Sequence, residues 1–239
     1  PAENISEYFE CKTSTGNNQM NRLRSLLFAP DMFWLFERNG SEAQFSDKAG
    51  MRRTDMTSSA TKDVNGREDS RNNAVELVRY NGNYAPAYYL LKYLQIPSPH
   101  VWNANTKYYT SAAWKRKHGV MTQVNYYGTG GTTQTLNHDL GVKPAAIIIM
   151  QTYNGTGYGS KNMWCDSTYV PDMGDGKVLS LTSDANVDTR NDMFGDGSGG
   201  YVATDSVFRV SEHQNGSGDR MFSAYLFANI PGQVKFGQY

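Results

Sequence analysis

The sequence predicts an all-β protein made of two tandem β-sandwich modules, jelly-roll-like in type, that arose by internal duplication. The composition favours strands and tight turns, because the 239 residues include 16 Tyr, 10 Phe and 4 Trp together with 23 Gly. A short β-branched run, Ala145–Met150, follows Pro144 and is typical of a strand buried on both faces. A similar apolar run follows Pro30, so the pattern occurs twice.

The repetition extends beyond these prolines. Aligning the two prolines places Phe33–Phe36 on Ile147–Met150. Farther along the chain, residues 88–97 resemble residues 222–231, and an Asn-Gly pair precedes each of them. Chance similarity between generic β sequences is the alternative, but the shared order of the features favours duplication. The predicted domains are residues 1–97 as the first module, residues 98–117 as an aromatic connector, and residues 118–239 as the second module.

The second copy is predicted to contain two hairpins. A polar strand carrying Tyr126 and Tyr127 meets the glycine-rich turn Gly128–Gly131, and residues 132–139 then alternate in polarity like a strand. The Asn-Gly-Ser-Gly sequence at 215–218 has the composition of a second hairpin turn. Further strands are predicted at residues 162–166 with Trp164 as a core anchor, 178–182, 206–211 and 221–230.

The first copy is predicted to contain strands of the same kind. Residues 21–27 fit either a strand or a helical turn, and residues 50–73 are polar and are predicted to form a solvated loop with at most a short strand at 54–58. The predicted strands are residues 7–13, 32–36, 45–49, 75–80 and 84–96.

Charge and cysteine usage limit the partners and the compartment. Lys plus Arg and Asp plus Glu both total 23, so no net field attracts nucleic acid or an anionic membrane. No apolar run approaches the roughly 20 residues of a membrane span, and the first residues lack the basic and hydrophobic character of a leader. Cys11 and Cys165 stand at unrelated places in the two copies. We therefore expect free thiols, a cytoplasmic site of synthesis, no nucleic-acid partner and no membrane span.

Candidate catalytic and metal-binding residues do not form a recognisable site. The 4 histidines have no metal-ligand spacing with one another or with the cysteines. His138 shares one side of its strand with two leucines, and we expect it to be a hydrogen-bonded core residue. Asp184–Asp188 resembles the start of a calcium loop, but Thr189 and Gly195 stand where a glycine and a bidentate Glu are needed. Aspartates in the other loops are expected to form turns. We predict no catalytic residue, no cofactor and no metal.

Short motifs of the second copy occur together in a fixed order. They are Tyr127–Gly131, Leu136–His138, Leu140–Pro144, Trp164, Leu179–Asp184, Ser206–Phe208, Asn215–Gly218, Tyr225–Ala228 and Lys235–Tyr239. In combination they resemble a repeated module of tailed-bacteriophage virion proteins, a family frequent in phages of marine bacteria and cyanobacteria. The resemblance covers roughly half of the chain, and the first copy lacks the histidine and glycine of the pattern at Ser25–Pro30.

This resemblance implies a non-enzymatic structural protein of the virion, in a tail, tail fibre or spike, assembled in the host cytoplasm. The implied partners are other virion proteins and further copies of the chain. The connector aromatics and the last apolar residues are the expected contacts: Trp102, Tyr108, Tyr109, Trp114, Val234, Phe236 and Tyr239. Residues 233–239 resemble a first strand, and we expect them to pair with a neighbouring subunit or to cap their own sheet.

The alternative function is a carbohydrate-binding module that recognises a glycan on the host surface. Exposed Tyr and Trp side chains from residues 153–169 or from the connector would then stack on sugar rings. A module of this kind leaves several aromatic side chains exposed together, whereas an assembly component buries them against other chains.

Overall fold

The computed structural model divides the chain into two compact units, Pro1–Arg116 and Lys117–Tyr239. Both units consist of antiparallel β-sheets, and the described residues contain no α-helix, which confirms the predicted all-β class. The residues described are 4–17, 21–25, 27–28, 32–37, 50–53, 61–62, 68–69, 74–76, 86–90, 93–96, 105–153, 161–180, 187–198, 200, 202–216 and 220–237.

The described strands of unit 1 form two four-stranded sheets and a small two-stranded sheet. The strands are β1 (Phe9–Thr15), β2 (Asn21–Ser25), β3 (Met32–Glu37), β4 (Gly50–Arg53), β5 (Thr61–Lys62), β6 (Glu68–Asp69), β7 (Ala74–Glu76), β8 (Pro86–Leu90), β9 (Tyr93–Ile96) and β10 (Tyr108–Trp114). The sheet orders are β1-β10-β3-β4, β2-β9-β8-β7 and β5-β6. The apolar strand after Pro30 therefore lies inside the first sheet, as the sequence predicts.

Several predictions for unit 1 are wrong. The end of the predicted connector forms β10, which lies between β1 and β3 and so belongs to the first sheet. Within the single strand predicted at 84–96, the described residues form two antiparallel strands, β8 and β9, with Leu90 opposite Tyr93. Residues 50–53 form β4, not a loop, because they pair with β3. The predicted strand at 45–49 and the possible strand at 54–58 lie outside the described residues.

The described strands of unit 2 form a six-stranded sheet and a two-stranded sheet. The strands are β11 (Met121–Tyr127), β12 (Thr133–Asn137), β13 (Ala146–Tyr153), β14 (Lys161–Cys165), β15 (Lys177–Ser180), β16 (Asp188–Thr189), β17 (Val207–Ser211) and β18 (Met221–Phe227). The sheet orders are β11-β18-β13-β14-β15-β16 and β12-β17. A 3-10 turn, Glu212–Asn215, follows β17.

The main core of unit 2 contains side chains from both of its sheets. Ile147 and Ile149 of β13 and Leu226 of β18 are fully buried together with Phe208 and Val210 of β17. The alternate residues point to the opposite face of the large sheet, where buried side chains form a smaller cluster. That cluster contains Ala146, Cys165 and Met173. Strand β13 is therefore buried on both faces, and Trp164 is a core residue at 1 % exposure, as predicted.

Both predicted hairpins of unit 2 are wrong. Strand β11 pairs with β18 and β12 pairs with β17, so the chain changes sheet at Gly128–Gly131 instead of folding back on itself. Strands β17 and β18 also lie in different sheets, and Asn215 is buried in the intervening 3-10 turn. The local composition is that of a hairpin turn in both places, but the sheet partners come from distant parts of the chain.

The predicted alignment of residues 88–97 with residues 222–231 is also wrong. Strand β18 pairs with the first strand of its unit, β11. In unit 1 the strand that pairs with the first strand is β10, whereas β9 pairs with β2 and β8. The strand that lies between the first strand and the strand after Pro30 is therefore β10, whereas β18 lies between β11 and β13 in unit 2.

Candidate assembly surface

The predicted contact residues of β10 lie at its two ends. Tyr108 is opposite Thr15, and its side chain is 53 % exposed. Trp114 is opposite Phe9, and the two rings pack with their centroids 5.1 Å apart. At roughly 3.3 Å per residue the ends of the strand are about 20 Å apart, so these side chains do not form one patch. Tyr109 belongs to the same strand, and Trp102 lies outside the described residues.

The predicted contact residues near the C-terminus belong to unit 2. Val234 forms an antiparallel bridge with Ile230. The ring of Phe236 lies 6.1 Å from that of Phe227, and its backbone N–H donates to Asn229 Oδ1 at 3.3 Å. Phe236 also packs on the smaller cluster around Ala146, so it covers part of the second face of its own sheet. Tyr239 lies outside the described residues.

Exposed apolar side chains occur at several points of the described surface. They are Leu27, Tyr108, Tyr127, Val142, Tyr169 and Val187. Of these, Tyr108 was predicted as an assembly contact, and Tyr169 lies in the range 153–169 predicted for the alternative glycan-binding role. Tyr127 ends β11 just before the glycine-rich crossover, and it is 59 % exposed. The available signal was an aromatic residue at the end of a strand, directly before a glycine-rich connection, because the chain leaves the sheet after such a residue.

The two crossovers of unit 2 meet at a buried asparagine. The side-chain Oδ1 of Asn215 accepts from the N–H of Thr129 at 2.8 Å, and its Nδ2 donates to the carbonyl of Gly131 at 2.9 Å. The backbone carbonyl of Asn215 accepts from Gly130 N–H at 2.9 Å. Gly128 has no room for a side chain, because a Cβ there would lie 1.9 Å from the Gly216 carbonyl oxygen. This arrangement, which we call the Asn215 clamp, fixes the point where the chain changes sheet.

His138 is hydrogen-bonded through both ring nitrogens. Leu140 N–H donates to Nδ1 at 3.3 Å, so Nδ1 carries no proton, and Nε2 faces the Thr204 carbonyl at 3.2 Å as a donor. Burial lowers the pKa of His138, although the Thr204 bond and the nearby Asp139 and Asp205 carboxylates act in the opposite direction. His138 is therefore hydrogen-bonded, as predicted, but it is half-buried and does not belong to the fully buried core.

The carboxylates of the loop aspartates Asp166 and Asp196 accept hydrogen bonds from nearby residues, and that of Asp166 also forms an ion pair. Burial by itself would raise the pKa of Asp166, but the Lys143 ammonium and hydrogen bonds from Thr168 lower it overall. Asp196 accepts from the Ser198 hydroxyl at 2.6 Å, from Ser198 N–H at 2.9 Å and from Gly200 N–H at 3.1 Å, and these bonds lower its pKa. Such bonds are typical of turn-forming aspartates, as predicted for these loops. Among the described residues no group of three or more His, Cys, Asp or Glu side chains is arranged to hold a metal ion.

Cys165 is a free thiol of the smaller cluster. Burial, reinforced by the neighbouring Asp166 carboxylate, raises its pKa to about 12. Cys11 is also free but exposed. Both cysteines are therefore free, as predicted, and Cys165 is held in a chemically inert form because only the thiolate is nucleophilic.

These features define an all-β protein of two compact units built from antiparallel sheets. Residues 4–239 match the family described as Domain of unknown function (DUF7483), and the chain belongs to that family. Comparison with curated proteins and with solved structures finds no match. In the part of the chain that the structure describes, no helix has the length and apolar character needed to cross a bilayer.

Proposed function

We propose that this chain is a non-enzymatic structural protein of a tailed-bacteriophage virion, in the tail, a tail fibre or a spike. It assembles there with other virion proteins and with copies of itself. The observation that supports the proposal best is a sheet pattern present in both units, because repeated modules are a common way to build an extended assembly part. The motif resemblance of the second unit to phage virion modules supports it independently.

We further propose that the two units are diverged copies of one module. In each, the first strand pairs with the last, and the last pairs with the strand that follows the proline. The registers agree with the alignment of Pro30 and Pro144, because Trp114 is opposite Met32 and Phe227 is opposite Ala146. The next strands also agree, since β3 pairs with β4 and β13 with β14.

Backbone hydrogen bonds at the strand ends support the duplication. Lys115 N–H donates to the Tyr8 carbonyl at 2.8 Å, and Ala228 N–H donates to the Val120 carbonyl at 2.9 Å. At the other end, Gly16 N–H donates to the Lys107 carbonyl at 2.8 Å, and Gly128 N–H donates to the Arg220 carbonyl at 2.9 Å. Each pair closes the same end of the first and last strands. Chance similarity of two β-sheets gives no reason for such agreement.

The module is, in this proposal, a jelly-roll-like β-sandwich. The support lies in unit 2, where the main core mixes side chains of the six-stranded and the two-stranded sheets. The chain changes sheet between β11 and β12 and again between β17 and β18. Crossovers of this kind are typical of sandwiches in which sequential strands belong to opposite sheets.

The virion role is tested on the phage that encodes the chain. Purified particles are analysed by quantitative mass spectrometry and by labelling with antibodies raised against the recombinant chain. We expect a fixed copy number per particle and label confined to the tail or its appendages. A chain found only in the infected-cell lysate, and absent from washed particles that retain their known tail proteins, would contradict the proposal.

A glycan-binding role is the second candidate, favoured by the exposed rings of Tyr127 and Tyr169. It is tested by binding of the recombinant chain to host cells and to extracted host polysaccharide. Replacing Tyr127 and Tyr169 together by Ala is expected to abolish such binding, whereas Val187→Ala serves as an exposed apolar control. Saturable binding that depends on the tyrosines would favour the glycan role, and its absence favours assembly alone.

A further inference from the structure

Strand β12 is an edge strand of unit 2. It pairs with β17 alone among the described strands. Strand β17, in contrast, is hydrogen-bonded on both sides, because Arg209 N–H donates to the Val202 carbonyl at 2.8 Å and Gly195 N–H donates to the Arg209 carbonyl at 3.0 Å. The outer side of β12 therefore presents a row of backbone groups to which β17 supplies no partner.

The register identifies the backbone groups on this outer side. Hydrogen-bonded and non-hydrogen-bonded pairs alternate along an antiparallel ladder. His138 N–H donates to the Ser206 carbonyl at 2.8 Å, one step beyond Asn137, so Asn137 belongs to a non-hydrogen-bonded pair. By the same alternation the N–H and carbonyl groups of Thr133, Thr135 and Asn137 point away from β17. Among the described residues, no backbone group is bonded to them.

The side chains of β12 also allow a further strand to pair with it. Those of Thr133, Thr135 and Asn137 are exposed, whereas Leu136 packs on the main core and holds the strand in place. The sequence Thr-Gln-Thr-Leu-Asn contains neither a charged residue nor a proline, the residues that commonly keep an edge strand from pairing. Threonine is moreover a residue that pairs favourably across strands.

Two other edge strands are protected against such pairing. A two-fold pairing of β1 through its outward groups would place Lys12 opposite Lys12 of the other copy, and like charges directly opposite are destabilising. In β11 the backbone of Met121 is already bonded to Lys117, and Gln123 is buried. Strand β12 has neither form of protection.

We propose that β12 of one copy pairs antiparallel with β12 of a second copy, in the two-fold register that places Thr135 opposite Thr135. In that register Thr133 stands opposite Asn137, so every outward N–H of one copy meets an outward carbonyl of the other. The formal net charge is zero, so the two copies have no net repulsion. The contact is self-complementary and closes as a dimer, in which two two-stranded sheets become one four-stranded sheet.

This contact rests on the proposed function and assigns a surface to the pairing of copies within the assembly. A ladder of five residues buries little area, so pairing between free chains is weak. A particle that holds many copies close together raises their effective concentration and strengthens it. The virion role is tested separately on purified particles and would survive the loss of this contact.

Sedimentation equilibrium of the full chain, over a concentration series that reaches the millimolar range, tests the contact. We expect a monomer–dimer equilibrium. Thr135→Pro removes an outward N–H but no bond to β17, and it should raise the dissociation constant of the dimer at least about 30-fold, because each of the two copies loses a donor. Thr135→Val keeps the N–H and the branched shape, and as the matched control it should stay within about 3-fold of the native chain.

A pair of charged variants tests the register. Thr135→Lys and Thr135→Glu each place like charges opposite one another in the proposed dimer, and each should weaken self-association at least about 10-fold. An equimolar mixture of the two should form a heterodimer at least as tight as the native dimer, because opposite charges then face each other. Only the proposed register brings residue 135 of one copy directly opposite residue 135 of the other.

A native chain that stays monomeric over the whole concentration series would overturn the proposed pairing. A dimer that forms equally well with Thr135→Pro would also overturn it, since the copies would then associate through another surface. If circular dichroism shows that the proline variant is unfolded, the charged variants decide the question alone. Lys and Glu variants that do not recover association on mixing would rule out the two-fold register.

Discussion

The two units join the same strands with different side chains. In unit 1 the buried Glu10 carboxylate of the first strand accepts from Leu27 N–H at 2.9 Å and pairs with Lys12. In unit 2 the second residue of the first strand is Thr122, whose hydroxyl is hydrogen-bonded to the Asp139 carboxylate, as Glu10 is the second residue of β1. In both units a side chain of the first strand is thus hydrogen-bonded to the segment that precedes the strand after the proline. The bonding group is a carboxylate in unit 1 and a hydroxyl in unit 2. The backbone ladders of the two units accept different side chains at this place, because the hydrogen bonds of a ladder do not involve side chains.

The aromatic anchors differ in burial between the units. Trp164 of unit 2 lies in the core at 1 % exposure, whereas Trp114 of unit 1 is half-buried on Phe9. We expect Trp164→Ala to destabilise unit 2 by about 3–4 kcal/mol, in the lower part of the range for Trp, because the indole N–H has no partner among the described residues. Trp114→Ala is expected to cost about 1–2 kcal/mol in unit 1. Calorimetry of the full chain measures both, and equal losses would contradict the comparison.

The Asn215 clamp gives the next largest effect. Asn215→Ala leaves the Thr129 N–H and the Gly131 carbonyl without their partner, and the expected loss is about 2–3 kcal/mol in unit 2. Asn137→Ala, at an exposed position of β12, is the matched control and should stay within about 0.5 kcal/mol. Denaturant unfolding of both variants measures the difference. An Asn215→Ala variant with an unchanged free energy of unfolding would show that the glycine-rich crossover is stable without the Asn215 clamp.

His138 makes the stability of unit 2 depend on pH. Its pKa is lower in the folded chain than in the unfolded one, so the unfolded chain binds the proton more readily. Its contribution is fully present above the unfolded pKa of about 6.5 and is lost as the pH falls through the lower folded pKa. Protonation also removes the Nδ1 acceptor used by Leu140 N–H. The melting temperature is measured at several pH values between 8 and 5. We expect it to fall less steeply with decreasing pH in His138→Gln than in His213→Gln, the control variant in which an exposed imidazole is replaced. The same dependence of melting temperature on pH in both variants would contradict this role of His138.

The cysteines give the smallest effect on stability and a clear difference in reactivity. Cys11 is exposed, whereas burial raises the pKa of Cys165 to about 12. A disulfide reagent at pH 8 should therefore modify one thiol rapidly and the other only after unfolding. Cys11→Ser should abolish the fast reaction, and Cys165→Ser should leave it unchanged. A fast reaction that survives Cys11→Ser would contradict the burial of Cys165.

The sequence predicted most of the strands of unit 2 but misplaced their connections. Strands β13, β14 and β18 were recognised because β-branched and aromatic side chains cluster in them. Residues 128–131 and 215–218 were taken for hairpin turns, since nothing in a short glycine-rich segment distinguishes a turn from a crossover. Asn215 was for the same reason taken for a turn residue instead of a buried clamp. In unit 1, β10 was taken for part of a connector because it contains no long aliphatic run.

The candidate contact residues show a similar division. Exposure of Tyr108 and packing of Trp114 and Phe236 follow from the strands that carry them and from what lies opposite. Composition marked these side chains as apolar, but it could not tell an exposed ring from one that covers its own sheet.

By itself the sequence determined the all-β class, the central strand after each proline and the inward face of the strand that carries His138. Those properties are local, because alternation and side-chain type fix which residues can be buried together. Only the tertiary structure decided that β11 pairs with β18 and that the chain changes sheet around Asn215. Backbone N–H and carbonyl groups are the same in every residue except proline, so pairing depends on the packing of the whole unit.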